Sequence, residues 1–319
     1  MPATVKTKTR QSPYDRPEGA SSDNAPDAAD ASNDANNAQE TPEQEQARLL
    51  AAIKEAAPAK PKTQNYLDFR TLTPAVLKEC LHMNEPKQHD TCLMAFCRFD
   101  LKRYAELTGI PFASLDLKKY GSGNMCVLTP FARMPFAISH NYTDERTGKP
   151  KYQLTFSLYN PDCQQDLDDF EAWVEGAYKN AMLDLIEKEL AKWGEKPNPN
   201  QMVQRAILES MWHSAVKASA DPQYKNNFTV KIKNMQADDA PILQVWNQKT
   251  QGSVTYNQVQ QGDFGSAFTF FEGVTKVGGK FYPRVFTRAM IYCDPITRQD
   301  LAAPLDTSYP LGAEAAMVG

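Results

Sequence analysis

At about Asn124 the chain's hydrophobic period changes from helical to two, and this switch constrains the fold more than any other feature. Lys151–Tyr159 sets Tyr152, Leu154, Phe156 and Leu158 against Gln153, Thr155 and Ser157. Phe228, Val230 and Ile232 then alternate with Thr229, Lys231 and Lys233. Ile242–Asn247, Ser253–Val259 and Ser266–Phe271 follow, and Gly278-Gly279 turns the chain into Lys280–Cys293. Met125–His140 is apolar but interrupted by Pro130 and Pro135, which suits an edge or bulged strand.

Between the first two alternating runs lies a helical insertion, 162–218. Asp162 is its expected N-cap, an apolar stripe runs from Leu167 to Leu190, and Gly194 ends it. A second helix is expected over Gln201–Ala218, with Met202, Ile207, Met211 and Trp212 as its apolar positions. In front, 64–123 reads as helical. Thr73 caps, Pro74 takes the first helical position, and a further helix runs from about Gln88 to Leu107 before Gly109-Ile110-Pro111. Roughly six strands without βαβ alternation predict an α+β chain with a mainly β core. The expected core is an OB-like small β-barrel, closed or partly open, rather than a doubly wound sheet. It spans 124–293, preceded by a helical extension at 64–123.

Charge divides the 319 residues unevenly. From Gln11 to Leu50 nine acids face only Arg16 and Arg48, a balance of −7. This Ala-, Asn- and Asp-rich stretch lacks the apolar area to offset its ordering entropy, so 1–63 is expected to be a disordered acidic arm. Pro161–Leu190 carries another −7, so within a net charge of −4 the remainder holds +10. Lys217–Cys293, where the strands lie, has nine Lys and Arg against five acids. A uniformly basic coat is excluded and a local basic surface is not. Residues 294–319, rich in Pro and Ala, are expected to form a flexible tail.

Other chemistry is thinly represented. No Walker loop, GxGxxG, GxSxG or HExxH occurs, so no enzymatic activity and no cofactor are expected. Cys80, His82, His89, Cys92 and Cys97 supply enough donors for structural zinc, but their spacing contains no CxxC pair, and helical Cys are common core residues. Six Cys without a framework spacing point to a reducing, intracellular setting, nuclear or at a cytoplasmic viral replication site. No membrane partner is expected, because no run of about 18 apolar residues appears.

The binding signal lies in the last strand. Its odd positions, Phe281, Pro283, Val285, Thr287, Ala289, Ile291 and Cys293, are apolar or small. The even positions interleave cations with rings: Lys280, Tyr282, Arg284, Phe286, Arg288, Met290 and Tyr292. Rings that stack on unpaired bases, beside cations that neutralise phosphates, make a surface for single-stranded nucleic acid. Lys231 and Lys233 extend that surface, and Trp246 offers a further platform. A plainer alternative is that the helices of the insertion dock on this face, since rings favour strands by propensity alone. Burying Lys280, Arg284 and Arg288 unpaired would be costly, which favours binding. Arg98, Lys102, Arg103 and Tyr104 form a second basic cluster, of a kind more often just a solvated helix face.

The succession of Lys151–Tyr159, a helical insertion, Asn227–Lys233, Phe268–Glu272 and Gly279–Arg284 resembles the OB-fold single-stranded-DNA-binding proteins of large eukaryotic DNA viruses. That resemblance implies coating of exposed DNA strands in replication, repair or recombination. RNA is a second candidate ligand, and the tails are candidate contacts for replication proteins. The matching positions are Lys231, Lys233, Lys280, Tyr282, Arg284, Phe286 and Arg288. A strongly acidic C-terminal tail, frequent among replication-type binders, is missing. The competing expectation, from another class, is a virion or scaffold β-protein whose aromatic face packs against partner subunits.

Overall fold

The computed structural model describes residues 65–115, 124–143, 148–219, 225–233 and 241–293. The arm expected at 1–63 and the tail at 294–319 lie outside the described residues. Among the described residues thirteen strands join in one sheet. They are β1 (Leu81–Met83), β2 (Lys87–His89), β3 (Cys92–Phe99), β4 (Met125–Leu128), β5 (Ala132–Arg133), β6 (Ser139–Thr143) and β7 (Pro150–Ser157). After these come β8 (Val216–Lys217), β9 (Asn227–Ile232), β10 (Gln244–Asn247), β11 (Gly252–Val254), β12 (Phe264–Val277) and β13 (Lys280–Cys293). The helices are α1 (Pro74–Cys80), α2 (Leu101–Thr108), α3 (Gln164–Ala172), α4 (Lys179–Lys188) and α5 (Gln201–Met211).

The main strand order is β1-β3-β12-β13-β9-β7-β6, an open sheet, so of the two forms expected for the small barrel, closed or partly open, the closed one does not occur. Much of the difference comes from the front of the chain. The helix expected from Gln88 to Leu107 is instead β2, β3 and the short α2. In β3 Ala95, Cys97 and Phe99 are buried while Phe96 and Arg98 are exposed, a period of two. Asp90, at φ 46°, makes the tight reversal between β2 and β3. β3 pairs onto β12 and β2 onto β3, so they lengthen the sheet instead of covering it.

The β12–β13 hairpin is the spine of the sheet. Its two-residue loop is Gly278-Gly279, with φ of 56° and 77°, the left-handed pair that matches the twist of flanking strands. β13 runs antiparallel to β12 and parallel to both β9 and β10.

One face of the sheet carries the helices. Phe170 of α3 meets Phe228 edge-on at 5.0 Å. Trp173 and Tyr178 meet Phe271 at 5.2 and 4.6 Å, and Trp193 meets Phe281 at 5.3 Å. Trp173 also donates from Nε1 to the Leu72 carbonyl at 3.0 Å, tying the insertion to the segment before α1. The odd positions of β13 therefore face this layer, as their apolar character predicts.

The insertion departs from expectation in detail. Cys163, not Asp162, precedes α3, and a π-helical turn over Trp173–Tyr178 joins α3 to α4. Gly194, at φ 71°, does end the segment. The helix expected over Gln201–Ala218 stops at Met211, and Val216–Lys217 is strand. In α5 Gln204 and Leu208 are buried, whereas Met202 and Ile207 are exposed.

Candidate nucleic-acid interface

The even positions of β13 from Lys280 to Arg288 point away from the helical layer and range from half-buried to exposed. The alternation ends there: Met290 and Tyr292 are buried along with their odd neighbours.

Two irregularities frame the middle of this face. Arg284 pairs with Gly273 and Val285 with Phe271, which leaves Glu272 as an extra residue on β12. Farther along, Thr287 pairs with Thr269 and Ala289 with Phe268, so Arg288 is the extra residue on β13. Bulges of this kind bend a strand and re-aim the side chains beside them. Arg284, Phe286 and Arg288 therefore occupy a bent segment bounded by bulges.

Across the sheet, Phe96 of β3, Gly273 of β12 and Arg284 of β13 form one row. Gly273 has no side chain, and the Arg284 guanidinium reaches over it to lie 4.9 Å from the Phe96 ring centroid. The same guanidinium lies 5.1 Å from the centroid of Phe286. Lys233 contributes a second cation, its Nζ 4.9 Å from that ring. Such contacts are favourable when the cation stands over a ring face. Phe96 remains 43% exposed at the edge of the cluster.

Glu272 sits beneath these cations with only 6% of its side chain exposed. Lys233 Nζ donates to Oε1 at 2.6 Å, while Arg284 Nη2 stands 3.7 Å from Oε2, too far for a hydrogen bond. Oε2 and Arg284 Nε are both buried without a hydrogen-bond partner. Desolvation pulls Arg284 below the ordinary arginine range, against the attraction of Glu272.

Lys231 faces Phe286 across the β9–β13 pairing. Its side chain is exposed to solvent. The surrounding protein mass lowers its pKa, and the like charges of Arg284, Lys217 and Lys151 lower it further. Lys231, Lys233 and Arg284 against one carboxylate leave this part of the face with a surplus of positive charge.

The other candidate positions are spread out. Tyr282 is half-buried with its ring 4.8 Å from that of His213, and Lys280 is exposed beside the hairpin turn. Trp246 does not join the cluster: it pairs with Ile291 near the far end of β13 and packs against the core. Phe96 and Glu272 are absent from the candidates drawn from sequence. The alternation of β3 could have revealed Phe96, whereas the position of Glu272 depends on a bulge that no periodicity encodes.

The remaining clusters do not form sites. Among the described residues no three His, Cys, Asp or Glu side chains gather as a metal site. Burial pushes the Cys80 thiol up to about 11 and that of Cys97 to about 12, so both behave as core side chains. Arg103 is paired with Glu79 and Glu106 at the surface, the solvated arrangement. No helix among the described residues is long and apolar enough to cross a membrane.

No family model and no curated protein matches the chain. Among solved structures, it is similar to the single-stranded DNA-binding protein of bacteriophage Enc34 in complex with ssDNA. That match has 10% identity and a TM-score of 0.30, over 67% of this chain and 97% of the other. It is also similar to a single-stranded DNA-binding protein encoded by bacteriophage T7, with 13% identity and a TM-score of 0.30, over 54% and 93%. TM-scores of this size lend this chain neither a fold nor a function.

Proposed function

We propose that this chain binds single-stranded DNA, without strong sequence preference, on the sheet face opposite its helical layer. One observation carries the reading. A partly exposed cluster of rings and cations, Phe96, Arg284, Phe286, Lys233 and Lys231, lies on the open face while the helices occupy the other. Partly exposed rings stack on unpaired bases, and the surplus positive charge attracts the backbone. No catalytic step is part of this function. The strand layout, OB-like in its succession, suits a coating role in viral genome replication, repair or recombination. RNA would meet the same rings, so the ligand panel includes it.

The scaffold alternative fares worse on the same observation. Two copies of this face meeting symmetrically would bring Lys231, Lys233 and Arg284 against their like.

The test is the double variant Arg284→Ala with Phe286→Ala. Its ssDNA affinity falls roughly tenfold or more in a fluorescence titration, with the far-UV circular dichroism of the native protein retained. Unchanged affinity in the folded double variant would remove the assignment. Parallel titrations with dsDNA and ssRNA identify the preferred strand.

A further inference from the structure

We infer that Glu272 decides which cations of this face touch phosphate, holding Lys233 and Arg284 back as supports for the rings and leaving the backbone to Lys231 and Arg288. The inference rests on the proposed ssDNA binding and adds a division of labour within the site. Lys233 and Arg284 share the buried carboxylate at 2.6 and 3.7 Å, so their charge is partly spent inside the protein. Both also lie against Phe286, and Arg284 spans from that ring to Phe96. The guanidinium is thus a flat spacer between two rings, only 17% exposed. An incoming phosphate would have to displace Glu272 from a buried position to win either cation. Lys231 is different: it is exposed, crowded only by like charges, and makes no ion pair among the described residues. Arg288, half-buried on its bulge, likewise makes none among them. Among the described residues, an anion is the partner these two lack.

Glu272 is in this view a positioning residue that limits the number of phosphates bound. Each phosphate neutralised on a single strand contributes about 0.7 to the slope of log Kobs against log salt. The experiment measures that slope for oligo-dT binding by the full-length chain and by Lys231→Ala, Lys233→Ala and Glu272→Gln. The Lys231→Ala variant lowers the slope by about 0.7, and Lys233→Ala leaves it unchanged while weakening affinity at every salt. The Glu272→Gln variant, which releases two cations, steepens the slope by about 0.7 or more and tightens binding at low salt.

Three results bear on the assignment in different ways. A Lys233→Ala slope that falls as far as that of Lys231→Ala overturns the division of labour while ssDNA binding stands. So does a folded Glu272→Gln protein with the native slope. Absence of any ssDNA binding by the native chain overturns both the inference and the function on which it rests. If Glu272→Gln fails to fold, the two lysine variants decide the matter alone.

Discussion

Lys231 shows how a candidate binding residue can work against the stability of the protein that carries it. Its pKa is depressed, first by desolvation and then by Arg284, Lys217 and Lys151, so its charged form is disfavoured in the folded state. By linkage, the cost to folding is present at neutral pH and fades as pH rises through the folded pKa towards the ordinary lysine value of about 10.4. Replacing Lys231 with Met keeps the aliphatic stem and removes the charge. The Lys231→Met variant therefore unfolds at a higher urea concentration than the native protein at pH 7, binds ssDNA more weakly, and loses its stability advantage above about pH 10.5. An unchanged or lower urea midpoint at pH 7 would contradict the crowding of like charges seen here.

At the scale of elements, the decisive contact is between β3 and β12. Gly273 has φ of 143°, and a Cβ there would collide with the Ala95 carbonyl oxygen and approach the Phe96 Cα to 2.9 Å. The bulge that frees Glu272 and the row that joins Phe96 to Arg284 both depend on this close approach. Gly273→Ala is expected to cost more than about 2 kcal/mol in a chemical denaturation experiment, because neither backbone can yield without breaking the ladder. A smaller loss would mean that the strands can separate locally. Sequence made some elements of this region legible and hid others. The bounds of β13, Lys280–Cys293, are those expected from sequence, because the interleaved cations and rings from Lys280 to Arg288 leave no helical alternative. β3 reads as helix from sequence, because Cys, Leu, Met and Ala carry little strand preference and the charged α2 directly after it supplies a helical period. Of the candidate site, Arg284, Phe286, Lys231 and Lys233 do converge. Trp246 does not, since its register beside Ile291 was set by a parallel crossover that local pattern does not encode.

For the whole molecule, the separation of charge matters more than its net value. The chain totals −4, yet Gln11–Leu50 holds −7 and Pro161–Leu190 a further −7. The second block is partly tied down: Asp166 pairs with Arg70, Asp168 with Lys225, and Asp184 with Arg205. It belongs to helices on the face opposite the candidate interface. The first block is attached to the same chain at high effective concentration, and its acids present the sign of charge that a phosphate backbone presents. Like charge predicts that these acids oppose the approach of ssDNA at low salt. Neutralising the nine acids of Gln11–Leu50 by Asp→Asn and Glu→Gln tests this directly. The neutralised chain should bind oligo-dT several-fold more tightly at about 0.01 M salt, where the Debye length is about 30 Å. The gain should shrink towards nothing near 1 M, where that length is about 3 Å. Stopped-flow mixing would locate the gain in the association rate, since steering acts before contact. Equal association rates for the two chains at low salt would show that the acidic block does not oppose ssDNA binding.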